Sequence, residues 1–444
     1  VGVVLVPASS LEHALEPWAS NTHPGDAPRR HVEEISAGEH RYTVTHGGTM
    51  DGQNCRSPMG CGIEREGAVE QTWQSNRAVR LENVGQTDVI NPWLSTGRNN
   101  FRTVDEIVAA AVEPGMSDRE KAIALWFQQI RHRYHLAGDG DELSDPVKVY
   151  NVYGHNPCGC DATIMGGLWR RVGLKAAPVR LVSHSIAQVH YDGGWHVMDG
   201  DLQHLFLLRD NETVAGDQAL ARDHDLVKRT HTLGLLLPDD RTADEWQASL
   251  YVHEGEVTGA RGRDSDTTMD LTLRPGEALV WRWGRLSPVK RRGDPTFNPN
   301  YPDTFCNGLW EYRPDLTGER WRQGAAKVEH VRSGPDGLRA EAGETGTIVW
   351  TMRSPYVFVG GRLEAEGSGA RFALSWDGRR WEDAGENLDP YFPPEGAARY
   401  QYRLRCQLSG PARLRHLRVV NDLQMALLTQ PEMVVGENAF VYTD

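Results

Sequence analysis

Residues 154–163 read GHNPCGCDAT, and the ten that follow read IMGGLWRRVG. In the second stretch Ile164, Leu168 and Val172 recur every four residues, the spacing of one apolar helix face. Pro157, directly ahead of Cys158, marks the start of that helix. A thiol in the first turn of a helix meets the positive end of the backbone dipole, which favours the thiolate. Cys158 is therefore a candidate nucleophile, and the next question is whether the chain supplies it with a base.

It does so about twenty-five residues downstream. The segment LVSHSIAQVHYDGGWHVMDGD at 181–201 reads as a hairpin: a strand at 181–191, an Asp-Gly turn, and a strand at 194–199. A two-residue turn at Asp192-Gly193 pairs Tyr191 with Gly194 and sets Asp199 opposite Ile186. His184 shares a face with Ile186 because side chains alternate. Asp199 is then a diagonal neighbour of His184, roughly 7 Å away along the backbone. A three-residue turn would send Asp199 to the other face. Nucleophile, base and orienting carboxylate form the constellation Cys158, His184, Asp199.

Upstream, TVDEIVAAAV at 103–112 begins with a Thr cap and an acidic first turn. In SDREKAIALWFQQIRHRYH at 117–135, Ser117 and Glu120 have capping-box spacing. Ile123, Trp126, Phe127 and Ile130 mark an expected apolar face.

These segments together resemble the transglutaminase-like superfamily, with its papain-related α+β core. The resemblance spans roughly residues 100–210. It is carried by Cys158, Ala162, Arg170, Gly173-Leu174, His184, Trp195 and Asp199, and by the helix that leads in. The fifteen-residue step from Cys158 to Gly173 is similar to that of the animal transglutaminases. It selects Cys158 over Cys160, which breaks the Ala162 and Gly173 spacings, and the Trp-x-x-x-Asp step selects Asp199 over Asp201. The resemblance implies acyl transfer at a carboxamide of a protein or peptide, most often hydrolysis, with no cofactor and no metal in the mechanism. The oxyanion would meet the Cys158 backbone N–H, with Tyr153 or Asn156 as candidates for the second donor. Asn156-Pro157-Cys158 stands where the family often has Gly-x-Cys, and Ala177 where it often has Arg. Ile186 stands where Trp is usual, so Ile186 is expected to border the cleft, and Trp195 to pack on the cysteine helix.

Other readings compete. A metal site built from Cys158 and Cys160 with His155, His184 or His196 lacks the second matched pair of structural zinc sites. His190, His196 and His204 read as surface or packing residues. The core could also be a catalytically silent scaffold in an extracellular assembly. In a third reading the tryptophan hairpin SWDGRRWEDAG at 375–385 directs a carbohydrate-associated enzyme to a glycan.

Outside the core the texture is β. Residues 1–98 read as an N-terminal β-rich domain, 99–215 as the core, 216–258 as a connector with short helices, and 259–444 as a C-terminal β-sandwich region with turn residues at regular intervals. The chain has 444 residues and a net charge of −13, which argues against a nucleic-acid partner. It contains no run of about eighteen apolar residues that would span a membrane. Cys55 with Cys61, and Cys306 with Cys406, are expected as disulfides within the β regions. Such pairs place the chain outside the cell or in its envelope, as a mature chain after signal removal.

Overall fold

The computed structural model describes residues 3–7, 33–35, 40–46, 78–136, 141–230, 241–251, 265–282, 305–394, 397–426, 430 and 436–444. Helix α1 (Val104–Ala109) starts at Thr103, whose hydroxyl accepts the Glu106 N–H at 3.2 Å. Helix α2 (Asp118–His132) opens on a complete capping box: Ser117 Oγ accepts from the Glu120 backbone, and Glu120 Oε2 accepts the Ser117 N–H at 2.7 Å. The short α3 (Pro146–Lys148) runs into a π-helical turn, Val149–Tyr153, that ends at Gly154. Helix α4 (Cys158–Arg171) follows. It stops at Gly173, whose φ of 85° only glycine adopts without strain. There the Gly173 N–H reaches the Arg170 carbonyl at 2.9 Å and the Leu174 N–H the Trp169 carbonyl at 3.0 Å. That pair of bonds is the Schellman ending, which satisfies two of the last carbonyls.

The chain then folds into a four-stranded antiparallel sheet. Lys175–Leu181, His184–Tyr191, Gly194–Asp199 and His204–Leu205 are adjacent in that order. The central hairpin has the expected register, with Tyr191 opposite Gly194 and Gln188 opposite Val197. Asp192 and Gly193 both have positive φ, 48° and 78°, the two-residue turn that suits the twist of paired strands. The first strand begins at His184 rather than 181, because Ser183 (φ 55°) turns the chain back on Lys175–Leu181.

Alternation along these strands separates two apolar clusters. Ala187, Val189 and Tyr191 join Ile164, Met165, Leu168 and Trp169 of α4 in the main core. Val179, Leu181, Ile186 and Val197 face the other way. They are covered by Leu220 of α5 (Asp217–Arg222), Val227 of α6 (Asp225–Thr230), Leu250 of α7 (Arg241–Leu250) and Tyr251. The stretch expected as a connector thus includes a layer over the sheet. Ile186, 2% exposed, is sealed beneath it and does not border a cleft. Trp195 lies on the same face as Val197, away from α4; it is 40% exposed and meets His190 edge-on at 5.2 Å. Phe127 of α2 is likewise out in solvent, 51% exposed, while Gln128, Gln129 and His132 of that helix are buried.

The β framework is not divided as the sequence order suggests. One sheet runs Glu33–Ile35, Val3–Pro7, Ala78–Asn83, Glu277–Arg282, Phe305–Tyr312, Arg413–Ala426, Val357–Ser368. Strands from the first hundred residues are therefore hydrogen-bonded to strands from the last two hundred. A five-stranded sheet (Lys327–Glu329, Thr345–Arg353, Gln401–Ser409, Arg371–Ser375, Glu382–Ala384) shares a core with it. The Tyr402 hydroxyl crosses between the two sheets to Asn421 Oδ1 at 2.7 Å. The fold class is α+β.

Cys406 is a free, buried thiol between Ile348 and Phe372 in the five-stranded sheet, whereas Cys306 lies opposite Met425 in the other. The expected Cys306–Cys406 disulfide does not form. Cys55 and Cys61 lie outside the described residues. The tryptophans of the 375–385 hairpin are engaged by the protein itself. Trp376 packs on Phe392 and Tyr402, and Arg405 stacks on Trp381 at 4.4 Å.

Replacing Gly173 by Ala should cost about 1 kcal/mol, the left-handed penalty for a residue with a Cβ. Urea unfolding would show this as a lower midpoint at unchanged slope. An unaltered midpoint would mean that the Schellman ending does not hold α4.

Candidate active site

Cys158 is the first residue of α4, and its neighbour Pro157 offers no side-chain cap to the helix. The thiol is therefore set in a first turn whose backbone N–H groups receive no cap from the Pro157 side chain. Cys158 is free and half-buried. His184 opens its strand and is buried, as are Asp199 and Asp201. His184 Nε2 donates to Asp199 Oδ2 at 2.8 Å. The Cys158 sulfur, a His184 ring nitrogen and an Asp201 carboxylate oxygen all lie within 4.8 Å of one another. The three residues named from sequence spacing are therefore together. Cys160 is half-buried against the main core and reads as packing.

Asp199 is held on every side. Its Oδ2 also accepts the Tyr251 hydroxyl at 2.8 Å, and its Oδ1 accepts the backbone N–H groups of Asp201 and Leu202, both at 2.9 Å. Trp126 Nε1 donates to its carbonyl at 2.9 Å. Burial alone would protonate the carboxyl, but the His184 charge and these donors outweigh it and pull it down to about 2. Burial would likewise strip the proton from His184. The Asp199 charge and hydrogen bond, the Cys158 contact and the Asp201 charge reverse that and lift the imidazole to about 11. The pair is an imidazolium–carboxylate pair at neutral pH.

Several residues of the site escaped the sequence reading. Arg133, fully buried, donates through Nε to Asn156 Oδ1 at 2.7 Å and through Nη1 to the Gly200 and Asp201 carbonyls at 3.1 and 3.0 Å. Its Nη2 pairs with the Asp201 carboxylate, and Asp161 of α4 lies 3.6 Å from Nε. His135 Nδ1 adds a contact of 2.8 Å to Asp201. Gln129 Nε2 donates to Asp161 Oδ1 at 2.7 Å and Gln129 Oε1 accepts the Tyr150 hydroxyl at 2.9 Å, which explains why α2 turns glutamine inward. Burial lifts Asp161 to about 6; Arg133 and Gln129 oppose that rise, while Asp201 and Asp199 add to it. Gly200 fits only as glycine, since a Cβ there would lie 2.5 Å from Asp161 Oδ2.

Both candidates for the second oxyanion donor are committed elsewhere. Asn156 is bound to Arg133 and to the Leu143 carbonyl, and the Tyr153 hydroxyl is bound to Glu142. His196 is a packing residue, stacked on Tyr191 at 3.8 Å. Scans of protein-family models, of curated proteins and of solved structures give no match to this chain.

The stabilisation from His184 should be whole below about pH 6.5 and fade as pH rises toward about 11, because its folded value lies above the ordinary one. That from Asp199 should be whole above about pH 4 and fade as pH falls toward about 2. Imidazole nitrogen shifts measured by NMR at pH 8 should report His184 doubly protonated; a neutral ring would contradict the pairing. Removing Arg133 as Arg133→Ala strands buried carboxylates and should cost about 3–5 kcal/mol. Chemical unfolding checks this, and a loss below about 1 kcal/mol would show the carboxylates to be solvated.

Proposed function

We propose that the chain is a cysteine-dependent acyl-transfer enzyme acting at a carboxamide, with hydrolysis of a peptide or amide as its leading reaction. The observation that carries this is the sulfur at a helix start that Pro157 leaves uncapped, within 4.8 Å of a ring nitrogen of His184, whose Nε2 is fixed at 2.8 Å by the buried Asp199 carboxylate. The chain order supports it too: a leading helix, the cysteine helix, the histidine strand and the aspartate strand follow one another as in the transglutaminase-like core the sequence resembles.

In this reading the Cys158 thiolate attacks the carbonyl carbon, and the oxyanion that forms lies near the Cys158 backbone N–H. The C–N bond breaks as the His184 imidazolium gives its proton to the leaving amine. The acyl group remains on sulfur as a thioester. Neutral His184 then takes a proton from water, which attacks the thioester carbon. The C–S bond breaks, and the thiolate–imidazolium pair is restored. Asp199 holds the ring orientation and the charge throughout, with Tyr251 and two backbone N–H groups holding Asp199. An amine in place of water would give crosslinking through the same steps.

Iodoacetamide labelling with peptide mapping tests the thiol. Cys158 should react faster than Cys160, and His184→Ala should slow it by about tenfold or more, since one kcal/mol-scale ion-pair loss has that size. With an amide substrate, a thioester mass adduct should map to Cys158, and Asp199→Asn should lower kcat by about a hundredfold or more. Alkylation of Cys158 that ignores His184, with no adduct, would leave the silent scaffold as the better account.

A further inference from the structure

Asp201 is not needed by the chemistry above, yet it is buried at the same focus. His184 Nε2 is taken by Asp199, and its Nδ1 lies 3.9 Å from Asp201 Oδ2. The Cys158 sulfur completes a triangle with no side longer than 4.8 Å. We infer that Cys158, His184 and Asp201 form a binding site for a zinc-class divalent cation, and that the bound cation shuts off the thiol.

Sulfur, imidazole nitrogen and carboxylate oxygen are the donor types zinc takes. Ordinary zinc bond lengths in a tetrahedron set such donors roughly 3.3–3.6 Å apart. The three atoms need to draw together by about 1.5 Å at most, within reach of side-chain rotations. They come from the start of α4, the start of one strand and the loop after the next. A thiolate among the donors disfavours calcium and magnesium, which take hard oxygen ligands.

The surroundings are those of a ligand set held by a second layer of hydrogen bonds. Asp199 accepts from the far nitrogen of His184, which fixes the ring and directs Nδ1 at the cation. Arg133 anchors Asp201 through Oδ1, and His135 Nδ1 sits across both carboxylate oxygens at 2.8 and 2.9 Å, so the cation would share Oδ2 with it. Cys158 is half-buried, with exposed Gly159 next to it, which leaves an approach from solvent. The cation takes the place of the proton shared by thiolate and imidazole, so one proton is released and nothing is oxidised or reduced. Water completes the fourth position. The sulfur lone pair that would attack a carbonyl is then bound to metal. The shut-off rests on the acyl-transfer reading, whereas the binding does not.

The test uses the full chain and zinc alone. Zinc affinity is measured by competition with a chromogenic chelator, and Cys158 alkylation is followed by mass mapping with and without zinc. One zinc per chain should bind, and it should slow Cys158 alkylation by about tenfold or more, reversed by chelator. Cys158→Ser should lose the tight site, Cys160→Ser should keep it, and Asp201→Asn should weaken it by about tenfold or more, a loss of the size outer ligands already produce. Cobalt in place of zinc should show a thiolate charge-transfer band that Cys158→Ser removes. If Asp201→Asn does not fold, Cys158→Ser and the cobalt band still decide. Alkylation of Cys158 unaffected by saturating zinc, or a tight site that survives Cys158→Ser, overturns the inference. Should alkylation depend on His184 while zinc fails to bind, only this inference falls. Should zinc bind while alkylation ignores His184, the acyl-transfer reading falls instead.

Discussion

One buried guanidinium holds the site in register. Arg133 stands at the end of α2 and binds Asn156 just ahead of α4, Asp161 within α4, and the Gly200–Asp201 corner that follows the aspartate strand. Cys158 and Asp199 belong to two of the segments it joins. A planar cation with five donors can hold several segments at fixed angles, which a lysine ammonium cannot. The cost of taking it out of water is offset because its partners are charged carboxylates or carbonyl oxygens that accept its N–H groups. Around it lie three buried carboxylates, Asp161, Asp199 and Asp201, against two cations, Arg133 and His184. Burial is what lifts Asp161 to about 6, and the excess of carboxylates, Asp201 and Asp199, adds to that rise against Arg133.

Much of the reacting group was legible because it obeys local rules. The Asp192-Gly193 turn has one favoured geometry, and once that is granted the alternation of strands brings Asp199 to His184. The helix start at Pro157 and its end at Gly173 are likewise written in single residues. The supporting shell was not legible for the opposite reason. Arg133, Gln129 and Asp161 are polar side chains in or next to helices, and periodicity assigns such residues to solvent. They are inside because they satisfy each other, a fact that depends on three segments meeting. Tyr251 falls in a stretch whose composition says connector, and nothing local tells that its hydroxyl would meet a carboxylate.

The same reasoning explains the errors about Ile186, Trp195 and the cysteine pair. Each was placed by analogy or by proximity in sequence. Ile186 is covered by helices that come after it. Trp195 follows the face parity of Val197. Cys406 and Cys306 share a β-rich half of the chain but belong to opposite sheets, where no short bridge spans them. Strand partners are chosen by long-range packing, and the β texture of a segment does not reveal which sheet it will enter.

The seven-stranded sheet has a consequence for biosynthesis. Leu81 pairs with Leu279, and Leu309 pairs with Asp422, so neighbouring strands are separated by one to two hundred residues of chain. A ribosome that adds residues one at a time must deliver the Ala78–Asn83 strand long before the partner that covers its edge. Until Glu277–Arg282 emerges, that edge is open, and the closure entropy of a loop of about two hundred residues has to be met before pairing rewards it. The helices and sheet around the site, whose contacts such as Arg133–Asp201 and Tyr251–Asp199 lie within residues 104–251, can condense in the interval. Nascent chains stalled between residues 230 and 280 would thus present an ordered centre with an unfinished β rim, the species on which holdase chaperones act.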